Sequence, residues 1–175
     1  MTRLQLEHVL RAAGAVTDLD DMVVIGSQAI LGQFPDAPAD LLKSMEVDLY
    51  PKDNPAMSIQ IDGAIGEHSP FHETFGYYGH GVAEDTAVLP TDWETRLKLV
   101  KNENTRGVSG WCLEANDLAF SKLAAGREKD LFYVKSMVLN RMVGLELLAE
   151  RIENSDLTQD LKKLLKDRLI RLRLK

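Results

Sequence analysis

The sequence predicts an α/β (α+β) chain, with a strand-bearing core over residues 1–113 and a helical region over 114–175 packed against it. Three observations carry that expectation. Met22-Val23-Val24-Ile25 is a short β-branched run that stops at Gly26, the pattern of a buried strand. Glu46-Val47-Asp48-Leu49-Tyr50 alternates polar and apolar residues and then meets Pro51, the pattern of a strand ending there. From Glu114 onward the strand patterns stop and apolar residues recur at helical spacing.

The elements follow in order. Leu4, Leu6, Val9, Leu10 and Ala13 predict a first helix that closes near Gly14. After the strand at 22–25, Ser27 stands where a helix N-cap belongs, and residues 28–31 read as the helix it starts. Pro35, Asp36, Pro38 and Asp40 mark a loop. Residues 54–67 are predicted helical, with Pro55 in the first turn, where a missing N–H costs nothing. The glycines of Phe75-Gly76-Tyr77-Tyr78-Gly79-His80-Gly81-Val82 predict a tight turn between short strands. Strands are predicted at 93–100 and 110–113, with 102–107 as the hairpin loop between them. Asn116 is the expected cap of a helix that runs through Ala125 and ends at Gly126. Another helix starts near Arg127, and two more cover 142–154 and 157–173.

Composition narrows the function classes. Hydrophobic residues at 45% and charged residues at 27% supply a real core, which excludes a disordered chain and a disulfide scaffold. No stretch approaches the roughly 18 uninterrupted apolar residues of a membrane helix, and the first residues show no export signal. Cys112 is the single cysteine, which fits a reducing cytoplasm and excludes a multi-cysteine metal site. The net charge of −6 argues against a protein coated in nucleic acid. It is unevenly spread: residues 162–175 carry +6, and the first 161 carry −12. That basic segment has a structural reading, an amphipathic helix with basic C-terminal turns, and a functional one, a contact for RNA phosphates or an acidic partner. Charge runs are more often solvated faces, which favours the first.

Three segments carry candidate chemistry. In Ile25-Gly26-Ser27 a strand runs through glycine into a serine-led turn, which frees backbone amides for a phosphate. Glu46 and Asp48 alternate on a strand, so their carboxylates share one face and repel unless a cation sits between them, and an oxygen-only pair suits Mg²⁺; the alternative is that both face solvent on an edge strand. Residues 118–130 place Lys122 on a helix rich in small residues, followed after Gly126 by Arg127, Lys129 and Asp130. A lysine there is a mobile positive charge for bound phosphates. Pro70, between His68 and His72, breaks the regular helix a zinc pair would need, so these read as ordinary polar histidines. Tyr77, Tyr78 and His80 read as packing residues, with base stacking as the alternative. Trp93, Trp111 and Cys112 read as core.

Taken together in this order, the three segments resemble the nucleotidyltransferase superfamily of DNA polymerase β-like fold. More narrowly, the chain is similar to minimal nucleotidyltransferases related to the toxins of AbiE-type toxin–antitoxin systems. Gly26-Ser27, Glu46-x-Asp48 with Ser44 two positions earlier, Lys122, and the Arg127, Lys129, Asp130 cluster carry the resemblance over residues 20–140. Two features depart from the pattern. The gap from Ser27 to Glu46 is long, and Arg96-Leu97-Lys98-Leu99-Val100, where a third carboxylate is expected, has no acid.

The resemblance implies a small mixed β-sheet with flanking helices and a C-terminal helical region. It implies transfer of a nucleoside monophosphate from an NTP to a hydroxyl of RNA, such as tRNA, or of protein, with an antitoxin protein as a further partner. Glu46 and Asp48 would hold Mg²⁺, Gly26 and Ser27 would cradle phosphates, and Lys122 and Arg127 would neutralise the triphosphate. Asp130 would orient the acceptor or assist the metal. The alternative is a nucleotidyltransferase-like scaffold with impaired catalysis that binds a nucleotide or a partner protein.

Overall fold

Thr2 sets the start of the first helix. Its hydroxyl accepts a hydrogen bond from the Gln5 amide at 3.3 Å, and the Gln5 side chain accepts one from the Thr2 amide at 2.7 Å, a reciprocal capping box. The chain is described here by a computed structural model covering residues 1–173, excepting the side chain of Arg173; Lys175 of the basic segment lies outside the described residues. Helix α1, Arg3–Thr17, runs straight through Gly14, where the sequence pattern predicts a stop, and ends at Asp18 in the left-handed conformation. Gly14 is there for close approach: a Cβ at this position would crowd Val108 and the Leu19 carbonyl.

Among the described residues five strands form one mixed sheet: β1 (Asp21–Val24), β2 (Glu46–Pro51), β3 (Tyr78–Gly81), β4 (Lys98–Val100) and β5 (Ser109–Cys112), in the order β3-β2-β1-β5-β4. β1 pairs antiparallel with β2 and parallel with β5; β2 pairs parallel with β3, and β4 antiparallel with β5. Central β1 buries Met22, Val23 and Val24 together, as an unbroken apolar run requires. The short helix α2 (Ile30–Gln33) follows a 3₁₀ turn at Ser27–Ala29. After β2 come a 3₁₀ turn led by Pro55, then α3 (Ser58–Ile65) and α4 (Pro70–Phe75). α1 and α3 pack on the sheet.

Two expectations about strands are corrected. Residues 75–82 are not a hairpin: α4 ends at Gly76 (φ 73°), and β3 then pairs parallel with β2. A parallel pair needs a long crossover, which α3 and α4 supply. Of the strand predicted at 93–100, only Lys98–Val100 is extended; Trp93–Arg96 form a 3₁₀ turn, and Arg96 reaches back to Asp117. β4 and β5 do form the predicted hairpin, with a 3₁₀ turn at Glu103–Thr105 in its loop.

The helical region contains α5 (Ala115–Ala125), α6 (Glu128–Leu139), α7 (Leu145–Glu153) and α8 (Gln159–Arg173). α5 packs on α2, α6, α7 and α8, and one apolar cluster runs from Leu6 to Leu169. The cap of α5 is Glu114 rather than Asn116: its carboxylate accepts from the Asn116 and Asp117 amides at 3.0 and 3.3 Å. Asn116 instead accepts from the Gly144 amide at 3.0 Å. In the basic segment, Lys162 and Lys166 bind Glu153, and Arg168 donates to the Ala124 carbonyl at 3.0 Å and to that of Leu123. No helix among the described residues is long and apolar enough to cross a membrane.

Candidate active site

The site is built where β1 ends. The Ile25 amide donates to the Asp48 carbonyl at 3.0 Å, so the chain leaves β1 pressed against β2. At Gly26 that closeness becomes obligatory. A Cβ there would overlap the Asp48 carboxylate and lie 2.8 Å from the Asp48 Cβ. Ser27 opens the 3₁₀ turn, but its hydroxyl is not the helix cap the sequence pattern suggests; it accepts a hydrogen bond from Lys122 Nζ at 2.8 Å.

Alternation on β2 puts Glu46 and Asp48 on one face, as expected from the sequence. The parallel register then aligns Tyr78 with Glu46 and His80 with Asp48. Tyr78 donates its hydroxyl to Glu46 at 3.1 Å, and His80 Nδ1 lies 2.9 Å from Asp48 Oδ1. Burial, together with the neighbouring Glu46 carboxylate, pushes the Tyr78 hydroxyl up to about 12, so it stays a donor at neutral pH. One ligand atom each from Glu46, Asp48 and His80 falls within a 4.8 Å cluster.

The cations come from the helical region. Lys122, near the end of α5, pairs with Asp130 on α6 at 3.1 Å, and Arg127 pairs with the same carboxylate at 2.6 Å. Asp130 is 1% exposed. Burial alone would raise its carboxyl, but the Arg127 hydrogen bond and the Lys122 charge outweigh that and hold it below the usual range. Arg127 is itself pushed up by Asp130, with added pull from Asp48 and Glu46. Tyr133, also on α6, donates its hydroxyl to the Ser27 carbonyl at 2.6 Å. A strand half rich in carboxylate and a helical half rich in cation are thus tied together at Ser27.

All seven candidates from the sequence, Gly26, Ser27, Glu46, Asp48, Lys122, Arg127 and Asp130, line one cavity of about 360 Å³. A second cavity of about 620 Å³ shares Ser27, Glu46, Lys122 and Asp130 with it and is walled by Phe132 and Tyr133. Residues 4–170 match the family described as nucleotidyltransferase of unknown function (DUF6036). The chain belongs to this nucleotidyltransferase family. No curated protein and no solved structure matches it.

Within this nucleotidyltransferase, the strand expected to bear a third carboxylate is the wrong one for the purpose. β4 lies at the far edge of the sheet, separated from β2 by β5 and β1, so no side chain on it belongs beside Glu46 and Asp48. The parallel neighbour of β2 is β3, and it brings His80. Asp130, read from the sequence as orienting an acceptor or assisting a metal, is engaged by both cations. His80 and Tyr78 are the members that sequence reasoning placed elsewhere, as packing or stacking residues.

Two predictions follow from this geometry. Gly26→Ala should destabilise the nucleotidyltransferase by about 1–3 kcal/mol, because overpacking must displace either the turn or the Asp48 carboxylate. Urea denaturation measures this, and an unchanged midpoint would show that Asp48 swings aside freely. The second concerns pH. A carboxyl held below its ordinary value contributes stability at pH above about 4 and loses it as pH falls through the lower native value. The Tm advantage of the wild type over Asp130→Asn should therefore shrink as pH is lowered from about 7 to about 3; a constant difference would contradict the assignment.

Proposed function

We propose that this nucleotidyltransferase moves a nucleoside monophosphate from an Mg²⁺-bound NTP to a hydroxyl of RNA, with tRNA foremost, or of a protein. The observation that supports it best is convergence. A phosphate-accessible Gly-Ser turn, a carboxylate pair and a lysine, separated by up to 95 residues in the chain, meet in one cavity. The donor set fits a divalent cation. Glu46 and Asp48 supply anionic oxygens on one face, and the close approach at Gly26 holds the Asp48 carboxylate against the turn. Bound there, the cation would supply charge neutralisation for the phosphates.

The chain's own residues account for the rest. Gly26 and Ser27 offer backbone amides at the start of a turn, directed to phosphate oxygens. Lys122 and Arg127 hold positive charge beside them, ready to stabilise the charge that accumulates on pyrophosphate as it departs. The acceptor oxygen bonds to the α-phosphorus, the bond to the departing pyrophosphate breaks, and the hydroxyl proton is released. Asp130 acts through the cations, fixing their positions. The lysine and the Arg-x-Lys-Asp cluster, which resemble those of AbiE-type toxins, support a macromolecular acceptor and a toxin role paired with an antitoxin protein.

The test is direct. Purified protein with each α-³²P-labelled NTP, Mg²⁺, total tRNA and cell lysate should label one macromolecular class. Saturable NTP binding with no label on any acceptor would favour the second reading, a scaffold that binds a nucleotide without turning it over. The observation on that side is that the strand beside β2 brings an imidazole, not a third carboxylate, next to Asp48.

A further inference from the structure

The strand beside the carboxylate pair places an imidazole on the same face. We propose that His80 is a direct ligand of the same divalent cation as Glu46 and Asp48, and that this mixed set makes the site select Mn²⁺ over Mg²⁺. The inference rests on the proposed metal-holding role of the two carboxylates and puts Mn²⁺ in place of Mg²⁺ as the ion they hold in preference.

Register supplies the placement. Asp48 and His80 are paired across β2 and β3, and side chains paired across adjacent strands point to the same face. The imidazole Nδ1 already stands 2.9 Å from Asp48 Oδ1, and one atom from each of the three residues lies within 4.8 Å of the others. Donor atoms around one ion with metal–ligand distances of about 2.1 Å stand at most about 4.2 Å apart, so the three atoms need to close in by only about half an ångström. The supporting contacts suit ligands held in place. The Tyr78 hydroxyl orients Glu46, and the Ile25 amide ties the Asp48 backbone to β1. The His80 side chain is 46% exposed, so the positions opposite the protein face solvent and the cavity, where phosphate oxygens can enter.

Ligand chemistry then decides the metal. Mg²⁺ takes oxygen ligands almost exclusively and gives up its water reluctantly, so an imidazole in its shell is a poor donor. Imidazole favours first-row transition ions. Among these, Zn²⁺ prefers four-coordination, and three protein ligands would leave it one open position. Mn²⁺ accepts an octahedral, oxygen-rich shell, which leaves room for more than one phosphate oxygen beside two carboxylates and one nitrogen.

The experiment uses the full chain and Mn²⁺ alone, without nucleotide. Pulsed EPR of the bound Mn²⁺ should show a directly coordinated ¹⁴N in the wild type, and His80→Ala should abolish it while leaving the circular dichroism unchanged. Competition titration should show the Mn²⁺ over Mg²⁺ preference falling by roughly tenfold or more in His80→Ala, the scale of losing a supporting metal contact. His80→Asp, an oxygen-only set, should tighten Mg²⁺ relative to the wild type. Bound Mn²⁺ with no nitrogen coupling, or with coupling that survives His80→Ala, would overturn the proposal and leave the carboxylate site intact. Mn²⁺ binding that is absent, or unaffected by Asp48→Asn, would overturn the carboxylate site as well. Nitrogen-coupled Mn²⁺ in a protein that transfers no nucleotide would uphold the ligand set and count against the transferase reading alone.

Discussion

Asp48→Asn is expected to cut nucleotidyl transfer by at least about 10³-fold, which corresponds to about 4 kcal/mol of transition-state stabilisation, while leaving the fold intact. Two properties of the residue separate those effects. Its structural work is done by the backbone, whose carbonyl accepts from the Ile25 amide at 3.0 Å, and an asparagine keeps that bond. Its side chain stands half-buried at the cavity wall, beside Glu46 and His80, where the proposed metal-holding role uses its charge. An amide of the same shape removes the negative charge without opening a cavity, so the stability change should stay within about 0.5 kcal/mol. Label transfer and thermal denaturation on the same preparation check both halves. A large loss of Tm, or transfer within a few-fold of wild type, would show that the carboxylate is structural.

Asp117→Ala should be the most destabilising single change in the helical region, costing about 3–5 kcal/mol. The side chain is fully buried in the first turn of α5. Arg96 donates to it at 2.8 and 3.1 Å, and Arg151 at 2.7 Å. Alanine leaves two guanidinium groups, with side chains only 27% and 13% exposed, short of their shared acceptor. Glu114 keeps its bond to Arg151 but reaches no further in this cluster of charges. A drop in Tm on the order of 10 °C is expected for a chain of this size. A loss below about 1 kcal/mol would mean that water satisfies both arginines. Because Lys122 lies on the same helix, the substitution should also weaken transfer measured well below the new Tm.

Much of the candidate site is legible in the sequence because its residue patterns are local. The Gly-Ser turn, the alternating Glu46 and Asp48, and Lys122 with its downstream cluster each declare themselves within a few residues. The cavity then gathers all seven. His80 did not declare itself, for a topological reason. Its partner Asp48 is 32 residues away, across a parallel pairing that neither segment advertises, and glycine-rich Tyr-Gly-His-Gly reads locally as a turn. The signal was present as a second alternation, with Tyr78 and His80 on one face and the small residues Gly79 and Gly81 on the other, under Ile65 and Ser58. Helix ends misled where tertiary contact outweighed propensity. Gly14 serves packing against Val108 rather than termination, and Glu114, not Asn116, is turned inward by Arg151 to cap α5.

The grip of Arg168 on the last carbonyls of α5 bears on how the molecule is made. Those carbonyls belong to Leu123 and Ala124, immediately after the lysine that crosses to Ser27, and the arginine that holds them arrives 45 residues later in the chain. The end of α5 that follows Lys122 therefore gains this support only after α8 has been synthesised.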